Sequence, residues 1–290
     1  MSAPAGIVWL ASFPKSGNTW FRMLLANLAA GEAGPADING LEESGGIAGS
    51  RLEFEAVTML DSALLADDEI DRLRPRVYAH IAAGLTEQRW MKAHDAYALN
   101  RDGEPTLGRG VARRIVYIVR DPRDVAVSYA HHTDSTIDKA IETMNAPDKS
   151  LAGQRHGMSL QLRQRLLGWS GHAASWLDQT DTPVHLVRYE DLRADPAATF
   201  ARALAFAERP ATPEEIARAV RHADFAELQR QEREKGFSER LSTSAPFFRS
   251  GRAGGWREVL SAEQVRRLEE AHGPMMRRLG YELSELSDAA

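Results

Sequence analysis

The stretch "VWLASFPKSGNTWFRMLLANL", residues 8–28, begins as an apolar run, breaks at a proline and continues as an apolar helix. Residues 6–13 have the continuously apolar pattern of a strand that is buried on both faces of a parallel sheet. Apolar residues then recur at helical spacing over residues 18–30, and Gly31 is suited to end that helix. The first N–H groups of such a helix have no partner within it, and its dipole adds partial positive charge. The stretch therefore predicts an anion site at the turn between strand and helix.

The composition limits the class of protein. The chain has 290 residues, 43% of them hydrophobic, and a net charge of -5, so we predict one domain over residues 1–290 and neither nucleic-acid nor membrane partners. It contains no cysteine, which excludes disulfides and thiolate metal sites. The N-terminus lacks the basic start of a signal peptide, and no apolar run approaches the roughly 20 residues of a membrane span. A cytoplasmic protein is expected.

The remaining pattern predicts an α/β fold with a central parallel sheet flanked by helices. Further strands are expected at residues 89–95, 114–119 and 183–192, and further helices near 160–178, 195–208, 213–222 and 261–279. Polar or small residues dominate the less patterned segments. We expect these insertions to form lids or walls of a substrate pocket, near residues 31–90, 131–158 and 232–255.

The turn at residues 14–19 has the side chains of a phosphate site. Gly17 lets the backbone approach a ligand, Lys15 supplies a mobile charge, and Ser16 and Thr19 supply hydroxyl groups. The ATP-binding P-loop places its lysine after the second glycine, whereas this lysine precedes Gly17. An incidental Lys-Ser turn after a strand is the structural alternative.

A second candidate anion site follows the strand at residues 114–119. In "YIVRDPRDVAVSYAHH", residues 117–132, the strand ends at Arg120 and a helix begins near Pro122, a favoured first helical residue. Ser128 lies on that helix, so both side chains could reach one site above the sheet edge. Arginine has the forked donors that suit a phosphate, although a surface Arg–Asp pair is an equally common reason for arginine here.

Two other segments carry candidate chemistry. The glycine-rich, basic loop "FFRSGRAGGW", residues 247–256, is suited to closing over an anion. In "RWMKAHD", residues 89–95, strand periodicity places Lys92 and His94 on the same face. Histidine is a suitable proton acceptor near neutral pH, and His131 and His132 are the rivals of His94 for such a role. The sequence shows no acidic cluster with metal-ligand spacing, so no metal is predicted.

Together these motifs resemble the cytosolic-type sulfotransferases, which use 3′-phosphoadenosine 5′-phosphosulfate (PAPS). "FPKSGNTW" is similar to their 5′-phosphosulfate loop, and residues 117–129 are similar to their 3′-phosphate motif, strand–Arg–x–Pro–[Arg/Lys]–Asp–x–x–x–Ser–Tyr. The loop at 247–256 resembles the family's Arg-Lys-Gly-x-x-Gly-x-Trp segment, with Ser250 in place of the lysine, a loss that Arg252 could compensate. The resemblance extends from about residue 7 to 280 and is strongest to soluble bacterial members.

The resemblance implies a set of nucleotide-binding residues. They are Lys15, Ser16, Gly17, Asn18, Thr19, Trp20, Arg120, Ser128, Tyr189, Phe225, Arg249, Ser250 and Gly251. Arg120 and Ser128 would hold the 3′-phosphate, and Trp20 would stack on adenine, unless it simply packs in the core.

The implied reaction transfers a sulfuryl group from PAPS to a hydroxyl of a small molecule and releases adenosine 3′,5′-bisphosphate (PAP). His94 would be the general base, Lys92 would bind the sulfonate, and Lys15 would stabilise the leaving oxygen. A P-loop nucleotide kinase and a catalytically silent nucleotide-binding protein are the alternatives. The family's dimer motif is kept only at Arg257, as its conservative replacement for lysine, so the oligomeric state is left open.

Overall fold

The computed structural model describes residues 3–41, 45–153, 159–240 and 246–284. Its strands are β1 (Gly6–Ser12), β2 (Gln88–Ala93), β3 (Ala112–Val119), β4 (Ser150–Leu151), β5 (Gln164–Arg165) and β6 (Val184–Arg188). Its helices are α1 (Asn18–Ala30), α2 (Arg51–Thr58), α3 (Asp67–Gly84), α4 (Pro122–His132), α5 (Ile137–Asn145), α6 (Gly168–Leu177), α7 (Tyr189–Ala194), α8 (Pro196–Phe206), α9 (Pro213–His222), α10 (Phe225–Lys235) and α11 (Ala262–Arg278). No helix in these ranges is both long and apolar enough to cross a membrane.

The main sheet of the described residues is parallel, in the order β2-β1-β3-β6, which confirms the predicted fold class. Ala11 of β1 pairs with Ala93 of β2, and Ser12 pairs with Ile118 of β3. Because the strands are parallel, the residues that follow each of them emerge at one edge of the sheet. That edge is where ligands of open α/β sheets bind.

The strand β1 is buried on both faces, which explains its apolar sequence. Trp9 and Ala11 pack into the hydrophobic cluster that contains Tyr117. Val8 and Leu10, which point to the other side, pack with the α1 side of the molecule. Helices on both faces therefore hold the sheet edge at a fixed position.

Two predicted elements differ from the structure by more than two residues at one end. The helix expected at 160–178 begins only at Gly168, because β5 pairs with β4 in the preceding residues and Leu167 has a φ of 58°. The strand expected at 183–192 ends at Arg188, where α7 begins.

The segments predicted as insertions contain the helices α2, α3 and α5 and the end of α10, none of which the sequence pattern indicated. Residues 42–44, 154–158 and 241–245 of those segments lie outside the described residues. Their role as lids or substrate walls stays a prediction, as does the single-domain organisation.

Candidate functional site

The turn between β1 and α1 is held in an unusual backbone conformation. Lys15 has a φ of 67° and Gly17 a φ of 104°. A Cβ atom on Gly17 would lie 2.6 Å from Cδ2 of Tyr189, so this position also has no room for a side chain. Asn18 Nδ2 donates to the Leu10 carbonyl at 2.9 Å and to Ser12 Oγ at 3.2 Å. The Asn18 side chain therefore supports the turn, which leaves its main chain for the ligand contact that the sequence predicted.

The side chains of this turn suit an anion. Ser16 Oγ is buried and has no hydrogen-bond partner among the described residues. Lys15 Nζ lies 3.8 Å from the centroid of the Phe247 ring. Burial, with Arg120 and Lys92 nearby, lowers the pKa of Lys15 to about 7. An unsatisfied hydroxyl and a destabilised ammonium group would both gain from a bound phosphate.

Arg120, directly after β3, contacts both the turn at residues 14–19 and the C-terminal loop at residues 247–256. Its Nη2 donates to the Arg252 carbonyl at 2.9 Å and its Nη1 to the Lys15 carbonyl at 3.4 Å. The guanidinium group lies 4.4 Å from the centroid of the Tyr189 ring. Its Nε is buried without a hydrogen-bond partner in the described part of the chain. Arg120 is thus held at the site with its Nε donor unused.

A cavity brings together residues from three separate segments of the chain. It is lined by Lys15, Ser128, His131, His132, Arg240, Pro246, Phe247 and Arg249. Burial and the neighbouring Lys15 lower the pKa of His132 to about 3, and burial and Arg249 lower the pKa of His131. Both histidines are therefore neutral at physiological pH, and the positive charge of the cavity comes from its arginines and from the protonated fraction of Lys15.

Gly251 links the C-terminal loop to two predicted pocket residues. Tyr189 Oη donates to the Gly251 carbonyl at 3.0 Å. Gly251 has a φ of 60°, and a Cβ there would lie 2.8 Å from the Phe225 ring, so glycine is required at this contact. Ser250, beside it, is exposed. The side chain of Arg252 is 70% exposed and 4.0 Å from Glu258, so its compensation for Ser250 stays a prediction.

Trp20 lies beside these aromatic residues but is largely part of the core. Only 8% of it is exposed, and its Nε1 donates to the Ala223 carbonyl at 3.0 Å. Its ring meets that of Tyr189 edge-on at 5.9 Å between centroids, and the Arg193 guanidinium lies 5.4 Å from its ring. Stacking of Trp20 on adenine stays a prediction.

Asp124 anchors the C-terminal loop and was not identified from the sequence. Its two carboxylate oxygens accept from the N–H groups of Gly254, at 2.6 Å, and Trp256, at 2.9 Å. The signal was present, since Asp124 is the aspartate of the 3′-phosphate motif. It holds the loop of Arg249 and Gly251 against α4.

His94 emerges directly after β2 and is partly buried. Its Nδ1 lies 2.8 Å from the Ser12 carbonyl oxygen, which can only accept, so Nδ1 carries the proton and Nε2 the lone pair. Burial, followed by the nearby Lys92, lowers the pKa of His94 well below its usual value. The imidazole is therefore neutral and available to accept a proton.

A second layer fixes the backbone around His94. His172 Nε2 donates to the His94 carbonyl at 3.1 Å, and Tyr117 Oη donates to His172 Nδ1 at 2.9 Å. Arg74 holds the next residue, Asp95, with two hydrogen bonds of 2.8 Å. The sequence pattern did not indicate this layer, because its members are far from residue 94 in the chain.

Lys92 contacts a residue that sequence reasoning also missed. Its Nζ lies 3.1 Å from Oε2 of Glu239, whose Oε1 lies 2.5 Å from Arg22 Nη1. Although burial opposes it, the charges of Lys92 and Arg22 lower the pKa of Glu239 to about 2. Nothing in the sequence pattern distinguished Glu239 or Arg22 from surface charges.

Within the described ranges, no three histidine, aspartate or glutamate side chains converge as a metal site would require. That the reaction needs no metal stays a prediction from the sequence.

Comparison with known proteins identifies the family. The family model described as the sulfotransferase domain matches residues 6–280. The chain is 23% identical to the amine sulfotransferase of Oryctolagus cuniculus, over 90% of this chain and 78% of that protein. It is 22% identical to the luciferin sulfotransferase of Photinus pyralis, over 90% of this chain and 69% of that protein.

Solved structures share the fold. Retinol dehydratase in complex with androsterone and PAP matches with a TM-score of 0.60, at 21% identity, over 96% of this chain and 82% of the other. A mouse sulfotransferase complexed with PAP matches with a TM-score of 0.58, at 20% identity, over 96% and 86% of the two chains. The chain therefore belongs to the sulfotransferase domain family, which confirms both the resemblance seen in its motifs and the enzyme class that the resemblance implied.

Proposed function

We propose that this protein transfers a sulfuryl group from PAPS to a hydroxyl group of a small molecule and releases PAP. The observation that carries the proposal is the meeting of four cations with one neutral histidine at the carboxyl edge of the sheet. Burial, followed by the nearby Arg120 and Lys92, lowers the pKa of Lys15. Burial and Arg120 likewise lower the pKa of Arg249, so Arg120 lies close to both groups. His94 offers a lone pair at the same edge.

The chemistry follows from these groups. The acceptor hydroxyl loses its proton to Nε2 of His94 as its oxygen bonds to sulfur and the sulfur–oxygen bond of the phosphosulfate breaks. The leaving phosphate gains charge, which Lys15 and the N–H groups at the start of α1 are suited to stabilise. The unpartnered Ser16 Oγ and Arg120 Nε are donors that a bisphosphorylated nucleotide would satisfy.

A hydroxylated small molecule is the acceptor class that we infer. The retinol dehydratase structures contain androsterone in one case and retinol in another, both small hydroxyl-bearing molecules. The amine sulfotransferase name of the rabbit relative makes amines a useful comparison. The cytoplasmic location, the absence of nucleic-acid and membrane partners and the bacterial type stay predictions of the sequence, and the oligomeric state stays open.

The test incubates the protein with labelled PAPS and a panel of phenols, alcohols and amines, and measures both labelled product and PAP. We expect transfer to hydroxyl acceptors in the wild type and its near loss in His94→Asn. Thermal stabilisation by PAP, compared with ADP–Mg²⁺, provides a measurement that needs no acceptor. Stabilisation by ADP–Mg²⁺ alone would favour a kinase, and PAPS binding without any transfer would favour a silent nucleotide-binding protein.

A further inference from the structure

The carboxylate of Glu239 lies inside the cationic part of the site. Its Oε2 is 3.1 Å from Lys92 Nζ and 3.5 Å from Thr19 Oγ1, and its Oε1 is 2.5 Å from Arg22 Nη1. The side chains of Lys92, Arg22 and Glu239 are 9%, 7% and 16% exposed, so the group is largely shielded from water. A carboxylate of the protein thus occupies hydrogen-bond donors that could otherwise bind a ligand anion.

The carboxylate satisfies this subsite incompletely. Arg22 is buried, and its Nη2 has no hydrogen-bond partner in the described part of the chain. A sulfonate has three acceptor oxygens, whereas a carboxylate has two, so a sulfonate at this position could serve one more donor. Burying an unpaired donor is unfavourable, and the subsite therefore favours a ligand richer in oxygen than Glu239.

The second lysine of the site, Lys15, also contacts a group of the protein where a ligand anion would bind. Lys15 Nζ lies over the ring of Phe247 instead of beside an anion. Both residues that cover the lysines, Glu239 and Phe247, come from the segment 232–255 that the sequence predicts to lie over the pocket. The protein's own groups therefore cover both ammonium groups, as anions would in a complex.

We propose that Glu239 is an internal competitor of the transferring sulfonate for Lys92, and that it thereby sets the preference of the site between PAPS and PAP. This inference rests on the proposed reaction. PAPS must displace the carboxylate from Lys92, because two negative groups cannot share one ammonium closely without repulsion. PAP has no sulfonate, so it binds with the Lys92–Glu239 pair intact. The pair lowers the affinity for PAPS and leaves the affinity for PAP nearly unchanged.

The test compares the affinities of Glu239→Gln and the wild type for PAPS and PAP, by calorimetry without acceptor. Because a charge-assisted hydrogen bond no longer has to be broken, we expect PAPS to bind about tenfold more tightly to the variant. PAP affinity should change less than about threefold, because PAP has no sulfonate that competes with Glu239 for Lys92. The matched control is Glu234→Gln, which removes the same charge from an exposed ion pair with Arg230 and should change neither affinity.

A second variant keeps the proposal testable if Glu239→Gln does not fold. Glu239→Asp keeps the charge but is one methylene shorter, so it cannot reach both Lys92 and Arg22, and the ratio of PAPS to PAP affinity should rise in the same direction. The proposal is overturned if a folded Glu239 variant leaves that ratio unchanged. A wild-type protein that binds neither nucleotide would instead refute the proposed function, so the two failures are distinguishable.

Discussion

Binding of PAP should be coupled to the uptake of a proton by Lys15. In the free protein, burial and the charges of Arg120 and Lys92 hold the pKa of this lysine at about 7, so most molecules carry a neutral Lys15 above that pH. A bound phosphate favours the charged form and raises the pKa again. The complex therefore needs a proton that the free protein lacks, and affinity falls as pH rises above 7.

The size of the effect follows from that pKa. At pH 8 roughly 9% of free Lys15 is protonated, so binding takes up about 0.9 proton and the affinity is about tenfold weaker than at low pH. At pH 9 the loss approaches about 100-fold, if the bound lysine stays charged. Phosphate groups lose their second proton near pH 6, and the pKa values of His94 and His132 are lowered, so these groups do not titrate between pH 7 and 9.

Calorimetry can measure this coupling directly. Titrations of PAP at pH 8 in two buffers of different ionisation enthalpy give the number of protons taken up, and Kd values at pH 7, 8 and 9 give the slope. Lys15→Arg is the matched variant, because arginine keeps its charge throughout this range and its affinity should be nearly independent of pH. A wild-type Kd that stays constant from pH 7 to 9, with proton uptake near zero, would refute the reasoning.

Other contacts of the site give further predictions. His94→Asn removes the proton acceptor, so turnover should fall by about 10²–10⁴ while calorimetry shows an unchanged Kd for PAP. Gly17→Ala introduces a Cβ at a φ of 104° and 2.6 Å from the Tyr189 ring; chemical denaturation should show a loss of about 1–3 kcal/mol, and PAP affinity should fall. Asp124→Asn weakens the two hydrogen bonds to the C-terminal loop, with an expected loss of about 1–2 kcal/mol in stability and weaker PAP binding; equal affinity in this variant would contradict the anchoring role.

The fold was predictable where local pattern and burial agree. The strand β1 and the helix α1 are apolar on the sides that the structure buries, and Gly17 and Gly31 lie at the helix ends, so their bounds matched the prediction closely. The helix at 160–178 was predicted too long, because the pairing of β4 with β5 is a tertiary contact that helical spacing does not reveal. The polar helix α10 has few buried residues, so its apolar pattern is weak.

The residues of the candidate site likewise fall into two groups, those that short motifs predict and those that only the fold brings together. Residues within short motifs, such as Lys15, Arg120 and Ser128, were identified because their spacing fixes where they lie relative to a strand end. Arg22 and Glu239 were missed, since 217 positions separate them and only the fold brings them together. His172 was missed for a similar reason, because it supports His94 through a main-chain carbonyl and shares no motif with it.

Glu239, which the sequence did not predict, has a physical role among the clustered cations of the site. Lysines and arginines gathered to hold a bisphosphate repel each other when no anion is bound, and this repulsion adds to burial in lowering the pKa of Lys15. The free protein relieves it with its own groups, the carboxylate of Glu239 at Lys92 and the ring of Phe247 at Lys15. The affinity for a nucleotide is therefore a difference between two sets of contacts. Strengthening the internal set would stabilise the free protein and weaken binding by a comparable amount.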